Sequence, residues 1–383
     1  MSALPLKLAL AALLGSAMLI QCSAQASLGP CLPTREALTV HLADFDSPAE
    51  LETPPGATPI KGLAILFAGS DVADRDGAIV DDADHVLSRP LHQMADALAC
   101  GGYASFRYNK RWVTGTTAVN RARFDLLSGT DLANDGRTAL QFAANQPAMR
   151  NLPILLFGWS EGTTVAMAVA KAEPKVRAVV LMAPVVESSA KNAQRQYLRV
   201  GRPYLSTFAT NGALDASAIA RARTGPGGVL AQIFVRMFKG FQPAETLNPL
   251  LDTNKDGKIT FAEADPIIAS WYADTLDSGV GMSATGRALP GISEAYSTSS
   301  PPILILQGTN DSMVEPTAAI AFAANAKPGG RVTIEVYPGL GHSLGLASSP
   351  LEDHLLPIAD RPLQDTVQWL DRIFAPGPPS KPR

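Results

Sequence analysis

The feature that most constrains the fold is an alternation of short apolar strands with helical patterns. Leu63 to Ala68 and Ile154 to Phe157 are continuous apolar runs of strand length, as in strands that are buried on both faces of a sheet. Helical spacing follows them, at Leu91 to Ala99 and at Thr163 to Ala172. Strand, helix and strand in this order predict an α/β fold with a mostly parallel, doubly wound sheet.

The alternation is interrupted once, and the interruption divides the chain. The strand patterns stop for more than a hundred residues, which are helical and loop-like with Gly and Pro breaks. We therefore predict a core made of residues 27–184 and 301–374, with an inserted helical cap over residues 185–300. The Pro-rich tail, residues 375–383, is predicted to be disordered.

A tight turn carries the strongest chemical motif. Gly158-Trp159-Ser160-Glu161-Gly162 lies between a strand pattern and a helix pattern. This is G-x-S-x-G in the setting that it needs, since the residues on either side of the serine must lack side chains and the turn lifts the serine above the sheet edge. The helix start behind the turn supplies backbone N–H groups and a positive dipole end. Ser160 is therefore the candidate nucleophile.

A nucleophilic serine needs a base and an acid, and few residues qualify. In the topology that carries this motif the acid and then the base follow the serine, and only His342 and His354 follow Ser160. His342 stands in a Gly-rich loop directly after a strand pattern, which favours it, and His354 is the alternative. Asp311 follows the preceding strand pattern, at the edge where sites cluster in such sheets. The predicted catalytic triad is Ser160, Asp311 and His342.

Two backbone N–H donors are expected to stabilise the oxyanion that forms when the serine attacks a carbonyl group. One is predicted to be the N–H of Glu161, directly after the nucleophile. The other is predicted to lie in the loop after the strand Leu63 to Ala68, where Ser70 is the first choice and Asp71 the second.

The residues around these positions resemble bacterial α/β-hydrolase esterases and the related serine-aminopeptidase-like hydrolases. The stretch from Ala68 to Gly77 matches the Gly-Ser and the Asp-Arg-x-Gly of that group's oxyanion loop, and it departs at Asp71 and Val72. The stretch from Tyr108 to Arg111 is similar to the group's R-Y-D-K-R strand end, with Asn in place of Asp. The resemblance covers the core and not the cap, and it implies the α/β-hydrolase fold.

A second motif lies inside the predicted cap. The twelve residues from Asp252 to Glu263 resemble the calcium loop of an EF-hand. The loop offers oxygen ligands at every expected position, namely Asp252, Asn254, Asp256, Lys258 through its carbonyl, Thr260 and Glu263. Gly257 allows the sharp turn that the loop needs, and Ile259 is the apolar anchor. Only one such loop is evident, and we expect its Ca²⁺ to be structural and to stiffen the cap; no organic cofactor is expected.

The N-terminus is typical of a signal peptide. Lys7 precedes the short apolar segment Leu8 to Ile20, and Ala24-Gln25-Ala26 has the small-x-small pattern of a cleavage site. Residues 1–26 are therefore predicted to be removed and the protein to be exported, to the periplasm or the medium. A lipoprotein box at Cys22 is the alternative and would anchor the protein at the membrane.

Cleavage would leave two of the three cysteines, Cys31 and Cys100. An even pair in an exported chain favours a disulfide, and two separate thiols are the alternative. No apolar run of the mature chain is long enough to span a bilayer. The net charge is −3 and no basic cluster is present, so nothing suggests a nucleic-acid partner.

Together these features favour an exported serine hydrolase that cleaves carboxylic esters of small molecules through an acyl-enzyme. A serine peptidase of the aminopeptidase type is the alternative, since the same triad serves both reactions, and Glu187 is its candidate for holding a free amino terminus. A non-catalytic binding protein of the same fold is the second alternative.

Overall fold

The computed structural model describes residues 31–70, 72–81, 84–240, 242, 246–276, 289–326 and 331–375. The chain from Leu32 onward forms one unit. The predicted signal peptide with Cys22, the oxyanion candidate Asp71, and residues 376–383 of the tail lie outside the described residues. No helix of the described ranges is long and apolar enough to cross a membrane.

The strands of the described residues are β1 (Thr34–Leu42), β2 (Phe45–Thr53), β3 (Leu63–Phe67), β4 (Ile79–Val80), β5 (Val86–Ser88), β6 (Ala104–Tyr108), β7 (Ile154–Trp159), β8 (Val176–Met182), β9 (Ala213–Asp215), β10 (Lys258–Thr260), β11 (Ile303–Gly308) and β12 (Val332–Tyr337). Eight of them form a central sheet in the order β1-β2-β6-β3-β7-β8-β11-β12. The run from β6 to β12 is parallel, and β1 and β2 are antiparallel. The predicted α/β class with a mostly parallel sheet is confirmed.

The α-helices are α1 (Pro90–Cys100), α2 (Arg121–Phe124), α3 (Gly129–Ala144), α4 (Gly162–Ala172), α5 (Ser189–Gln196), α6 (Arg202–Ser206), α7 (Ala216–Arg223), α8 (Val229–Lys239), α9 (Phe261–Leu276), α10 (Ile292–Ala295), α11 (Pro316–Asn325) and α12 (Asp360–Phe374). One turn of π-helix, Tyr197–Gly201, joins α5 to α6. Residues of α3 and α4 pack in the core on one face of the sheet, and residues of α1 and α12 pack in the core on the other.

Burial on both faces explains why the central strands are apolar throughout. Successive side chains of a strand point to opposite faces. In β3, Leu63 and Ile65 enter one core cluster, while Ala64 and Leu66 enter the other, and all five residues of the strand are buried. The continuous apolar runs of the sequence are therefore two alternating sets of core residues.

The N-terminal segment contains more structure than the sequence predicts. We expect one strand near Ala37 to Ala43, and the structure has a hairpin of β1 and β2. The unexpected strand contains Pro48, which pairs with Thr39 of β1. Proline has no N–H for a sheet ladder, but β2 joins β6 only from Ala49 onward, and the carbonyl of Pro48 accepts a bond from the N–H of Asn109. The proline thus lies beside the end of the ladder between β2 and β6, where only its carbonyl is needed.

The segment between β8 and β11 has its own hydrophobic core. Nineteen buried residues, from Tyr197 to Ile268, form this cluster, and they come mainly from α7, α8, α9 and the π-turn. The sequence predicts helices and loops here, and the structure adds the short strands β9 and β10, which pair with each other. A second core of this size explains how an insertion keeps a defined shape on top of the sheet.

Candidate active site

Ser160 lies at the tight turn between β7 and α4. Its backbone has φ +53°, in the left-handed region that a residue with a side chain rarely adopts. The Ser160 N–H donates to the carbonyl of Met182 on β8 at 3.0 Å, and the Ser160 carbonyl accepts from the N–H of Thr163 at 2.9 Å. These bonds hold the strained turn in place.

The glycines on either side of Ser160 are required by the packing. A Cβ on Gly158 would overlap the carbonyl of Gly162, and a Cβ on Gly162 would overlap the carbonyl of Phe67 at the end of β3. The turn is therefore in close contact with the residues that follow it, at the start of α4, and with the end of the neighbouring strand β3. This is the physical reason for the G-x-S-x-G spacing that the sequence displays.

Asp311 and His342 form a buried pair at the same edge of the sheet. Asp311 follows β11 and His342 follows β12, and the Nδ1 atom of His342 lies 3.0 Å from Asp311 Oδ1 and 3.1 Å from Oδ2. The Asp311 carboxylate also accepts from the N–H groups of Met313 and Val314 and from the Gln307 amide. A carboxylate oxygen facing Nδ1 accepts a hydrogen bond there, which fixes the proton of the neutral imidazole on Nδ1.

The structure thus brings the two predicted partners together, and Trp159 connects them to the serine turn. Trp159 Nε1 donates to the carbonyl of His342 at 3.1 Å, and the two rings lie 5.7 Å apart. Burial alone lowers the pKa of His342, but the charge and hydrogen bond of Asp311, with the charge of Asp353, hold that pKa above its ordinary value. His354, the alternative base, is exposed.

Two parts of the predicted oxyanion site, the Glu161 N–H and the start of the loop after β3, lie near Ser160. Glu161 N–H stands at the start of α4, and Gly69 of the loop after β3 is close enough that a Cβ there would lie 3.5 Å from Ser160 Cβ. Ser70 follows directly and is exposed. The structure therefore places Gly69, in the loop predicted to supply the second donor, beside Ser160.

Lys110 connects the two sides of this region. Its Nζ lies 2.7 Å from Glu161 Oε2, with the lysine side chain 8% exposed, and its N–H donates to the carbonyl of Ala73 in the loop after β3. Asn109, the residue before it, accepts from the N–H of Arg75 in the same loop. The sequence comparison points to these two residues as part of a family motif, but not to what they bind.

The insertion holds the loop that carries Asp311. Side-chain amides of Asn192 and Gln196 on α5 donate to the carbonyl of Met313 at 3.0 and 2.8 Å. Arg199, in the π-turn, donates to the carbonyls of Asp311 and Val314, both at 3.1 Å, and its Nε lies 3.1 Å from Glu315. π-turns in helices are frequent at functional sites, and here the turn presents an arginine to the loop of the proposed acid.

Glu187, the candidate for holding a peptide amino terminus, pairs with Arg195 of α5 at 2.9 Å. Its charge is therefore engaged by a cation of the protein itself. Cys31 and Cys100 are both disulfide-bonded, so the structure contains the disulfide that the sequence favours.

The calcium-loop candidate has the shape and the donor set that Ca²⁺ requires. Gly257 has φ +79° with open space around it, and Ile259 is fully buried. Carboxylate and amide oxygens of Asp252, Asn254 and Asp256 converge on backbone N–H groups inside the loop. Hydrogen bonds from Thr260, together with others from the loop, lower the pKa of Glu263 to about 2, so this side chain is an anion at neutral pH. These residues fit the ion.

The loop is not isolated in the structure, although the sequence shows only one such motif. Strand β10 pairs with β9 so that Ile259 faces Leu214 and Lys258 faces Asp215. Gly212 takes φ +76°, two residues before Leu214, as Gly257 does before Ile259. The partner turn, residues 207–218, carries Thr, Ala and Ala where the calcium loop has Asp252, Asn254 and Glu263. It therefore supplies packing and no carboxylate at those positions, which is why no sequence motif reveals it.

The fold and the residues of the site indicate the class of protein, and a sequence match identifies the family. The sequence matches the family described as serine aminopeptidase, S33, over residues 85–346. Because this match spans more than half of the chain, the protein belongs to that family and is a serine hydrolase of the α/β-hydrolase class. The expected resemblance to this superfamily is confirmed.

Two solved structures are similar to this chain. GrgF, an α/β-hydrolase from Penicillium sp. sh18, matches with a TM-score of 0.50 and 16% identity, covering 89% of this chain and 99% of that one. At this identity the likeness to GrgF shows the fold alone. Est1E from Butyrivibrio proteoclasticus matches with a TM-score of 0.47 and 13% identity, covering 89% of this chain and 99% of that one. No curated protein matches the sequence.

Proposed function

We propose that the protein is an exported serine hydrolase that cleaves carboxylic ester bonds, with Ser160 as nucleophile, His342 as base and Asp311 as acid. The observation that carries the proposal is the buried Asp311–His342 pair, whose histidine carbonyl accepts a hydrogen bond from Trp159, the residue before Ser160 in its strained left-handed turn. With Asp311 on Nδ1, the free basic atom of the imidazole is Nε2.

The chemistry follows from these roles. His342 Nε2 takes the hydroxyl proton as Ser160 Oγ attacks the carbonyl carbon of the ester, and the carbonyl oxygen becomes an oxyanion. The Glu161 N–H and a donor at Ser70 or Asp71 stabilise that charge. The carbonyl re-forms, the alcohol leaves with the proton from His342, and the acyl group stays on Ser160. Water then gives a proton to His342 and attacks the acyl carbon. The bond between Ser160 Oγ and the acyl carbon breaks, Ser160 takes the proton back from His342, and the carboxylic acid leaves.

A fluorophosphonate probe tests the nucleophile directly. The probe should label the wild-type protein at Ser160, and Ser160→Ala should abolish both labelling and ester hydrolysis, since nothing else bears the reacting oxygen. Ser206→Ala, in the cap, is the matched control and should label as wild type does. Equal labelling of Ser160→Ala and wild type would reject the assignment, and no labelling of wild type would favour a binding protein that lacks catalysis.

The alternative substrate is a peptide, as the description of the family suggests. Against it stands Glu187, whose carboxylate is paired with Arg195 and is less available for a substrate amino group. A panel of short-chain nitrophenyl esters and aminoacyl amides separates the two. We expect turnover of the esters; efficient cleavage of the amides with little ester turnover would establish the peptidase instead.

We further propose that the loop from Asp252 to Glu263 binds one structural Ca²⁺. The proposal is supported by the donor set, by the positive φ of Gly257 and by the pairing of β10 with β9. Calorimetry with CaCl₂ should give one binding event in wild type and none in Glu263→Gln. Glu294→Gln, an exposed glutamate outside the loop, is the control and should bind as wild type does. The absence of heat with the wild-type protein would reject the site.

Export remains a proposal that the disulfide supports, since disulfides persist in oxidising compartments. We propose residues 1–26 as the signal peptide, residues 27–184 and 301–374 as the core, residues 185–300 as the cap and residues 375–383 as a disordered tail. Mass spectrometry of the protein from whole bacteria should find a mature chain that begins at Ser27. A chain that begins at a lipid-modified Cys22 would establish the anchored form instead.

A further inference from the structure

A second buried carboxylate, Asp353, lies beside the proposed acid and base without a role in the reaction described above. It is 1% exposed and stands in the segment that follows the His342 loop. Among the described residues, no lysine or arginine lies within ion-pair distance of it. A buried charge without a cationic partner is costly and needs other compensation.

The compensation comes from the two loops of the proposed site. Asp353 Oδ2 accepts from the N–H of His342 at 2.8 Å, from the N–H of Ser312 at 3.1 Å and from the Ser312 hydroxyl at 3.0 Å. Ser312 is the residue after Asp311. One carboxylate oxygen, Asp353 Oδ2, thus joins the two loops of the proposed site. It binds the Asp311 loop at Ser312, the next residue, and the His342 loop at the backbone N–H of His342.

Asp353 is itself fixed from two further directions. Its Oδ1 accepts from the N–H of Leu355, and its main-chain carbonyl accepts from the N–H of Val229 at the start of α8 in the insertion. A Cβ on Gly341 would overlap Oδ1, so the residue before His342 can only be a glycine while Asp353 is there. Several independent contacts therefore fix the position of the Asp353 carboxylate.

The charge of Asp353 also has a consequence for the base. His342 is surrounded by the carboxylate of Asp311, the carboxylate of Asp353 and the ring of Trp159, and Arg199 reaches only the Asp311 carbonyl among these groups. An imidazolium that forms when His342 accepts a proton is thus attracted by two carboxylates and not by one.

We infer that Asp353 is a positioning residue of the hydrolase: it sets the distance between the Asp311 and His342 loops, and its negative charge stabilises the imidazolium of His342. This inference rests on the proposed function, because it assigns Asp353 a role in the same triad. A merely structural role would require the hydrogen bonds but not the charge.

The rate of fluorophosphonate labelling as a function of pH separates these roles, and it needs no knowledge of the natural substrate. Its acid limb reports the ionisation of the base in the free enzyme. Asp353→Asn, which keeps the shape and loses the charge, should lower the labelling rate by about tenfold or more, as small misplacements of a catalytic group do. It should also move the midpoint of the acid limb to lower pH by about half a unit or more, because the imidazolium loses an attracting charge.

Ser312→Ala is the matched variant, since it removes one hydrogen bond and leaves the charge. It should lower the rate without moving the midpoint. If Asp353→Asn folds, as circular dichroism will show, and keeps the wild-type midpoint, the electrostatic role is overturned. If the rate is also unchanged, the positioning role fails as well.

A separate measurement covers the case in which Asp353→Asn does not fold. Proton NMR of wild type and of a His342→Gln variant assigns the His342 ring among the five histidines. Its titration midpoint should lie above the ordinary 6.5, and a midpoint below that value would overturn the inference. Failure of the hydrolase proposal looks different, because wild type would then show no labelling at Ser160 at any pH.

Discussion

The ion pair of Lys110 and Glu161 lies directly beside the proposed nucleophile in the sequence. Glu161 follows Ser160 directly, and its N–H is one of the two expected oxyanion donors. Because the lysine is almost fully buried, the pair is screened little by water and is worth more than an ion pair on the surface. The main chain of Lys110 is bonded to the loop of the second donor, so one residue contacts both sides of the oxyanion site.

Lys110→Met should therefore lower kcat by about tenfold, which corresponds to about 1.4 kcal/mol of transition-state stabilisation, with a small effect on KM. Steady-state kinetics on a nitrophenyl ester measures both constants. Lys61→Met is the control, because Lys61 pairs with Asp371 in an exposed ion pair remote in sequence from the motif, and its kcat should stay at the wild-type value. An unchanged kcat in Lys110→Met would show that the pair does not support the oxyanion site.

At the residue scale, the sequence is sufficient to choose a pair of residues where their order along the chain and the small number of candidates decide the choice. Only two histidines follow Ser160, and Asp311 stands at a strand end, so the pair that the structure brings together could be chosen without coordinates. Lys110 and Asp353 could not be assigned a contact in this way. Their partners lie 51 and 41 residues away, and a charged residue in a loop is more often a solvated one.

Among the secondary-structure elements, the buried strands and their helices could be predicted because each has a local periodicity. The apolar patterns at Val176 to Met182 and at Val332 to Tyr337 predict strands with the bounds that β8 and β12 have. The strands β2, β4, β5, β9 and β10 are not predicted. Four of these are only two or three residues long, too short for a pattern. Strand β2 contains Pro48, which argues against a strand when its place in the ladder is unknown.

The pairing of β9 with β10 gives the proposed calcium site an effect on stability. The loop from Asp252 to Glu263 is continuous with β10 and α9, and both contribute to the core of the insertion. Calcium that binds only the folded loop stabilises the folded state by mass action. At a concentration 100-fold above Kd, we expect Ca²⁺ to raise Tm by roughly 5 °C.

Differential scanning calorimetry with CaCl₂ and with a chelator measures this shift. Glu263→Gln should abolish it, because the bidentate carboxylate at position twelve is lost. The same Tm for wild type in both buffers, under conditions where calorimetry detects binding, would show that the ion does not stabilise the fold.

At the scale of the whole molecule, a buried charge cluster joins the N-terminal hairpin to the central sheet. Arg107 of β6 is fully buried and bonds to Glu50 at 2.5 Å, Glu52 at 2.7 Å, Asp76 at 3.0 Å and His92 at 2.8 Å. Three of these partners, Glu50, Glu52 and His92, are close enough together to hold a metal ion, but the guanidinium already supplies the positive charge. We therefore interpret the cluster as structural.

The cluster predicts how folding stability depends on pH. Burial, together with the neighbouring Asp96, raises the pKa of Glu52 to about 7 against the opposing effect of Arg107. The folded-state pKa is thus above the ordinary 4.5, so the stabilising contribution is complete below pH 4.5 and is lost as pH rises through 7. Relative to Glu52→Gln, wild type should lose about 2 kcal/mol of unfolding free energy between pH 5 and pH 8.

Urea denaturation of both proteins across this pH range measures the difference. The absolute stability of Glu52→Gln does not matter for the test, because only the slope of the difference with pH carries the prediction. Glu36→Gln, an exposed glutamate of β1, serves as the control and should track wild type. A difference that is constant with pH, or that grows in favour of wild type, would contradict the assignment.

The attachment of the insertion to the Asp311 loop limits how this protein can evolve. Asn192, Gln196 and Arg199 reach across from the insertion to the main chain of that loop. A foreign insertion grafted between β8 and β11 would arrive without these side chains and would leave the carboxylate loop unsupported. The two parts are thus not interchangeable modules.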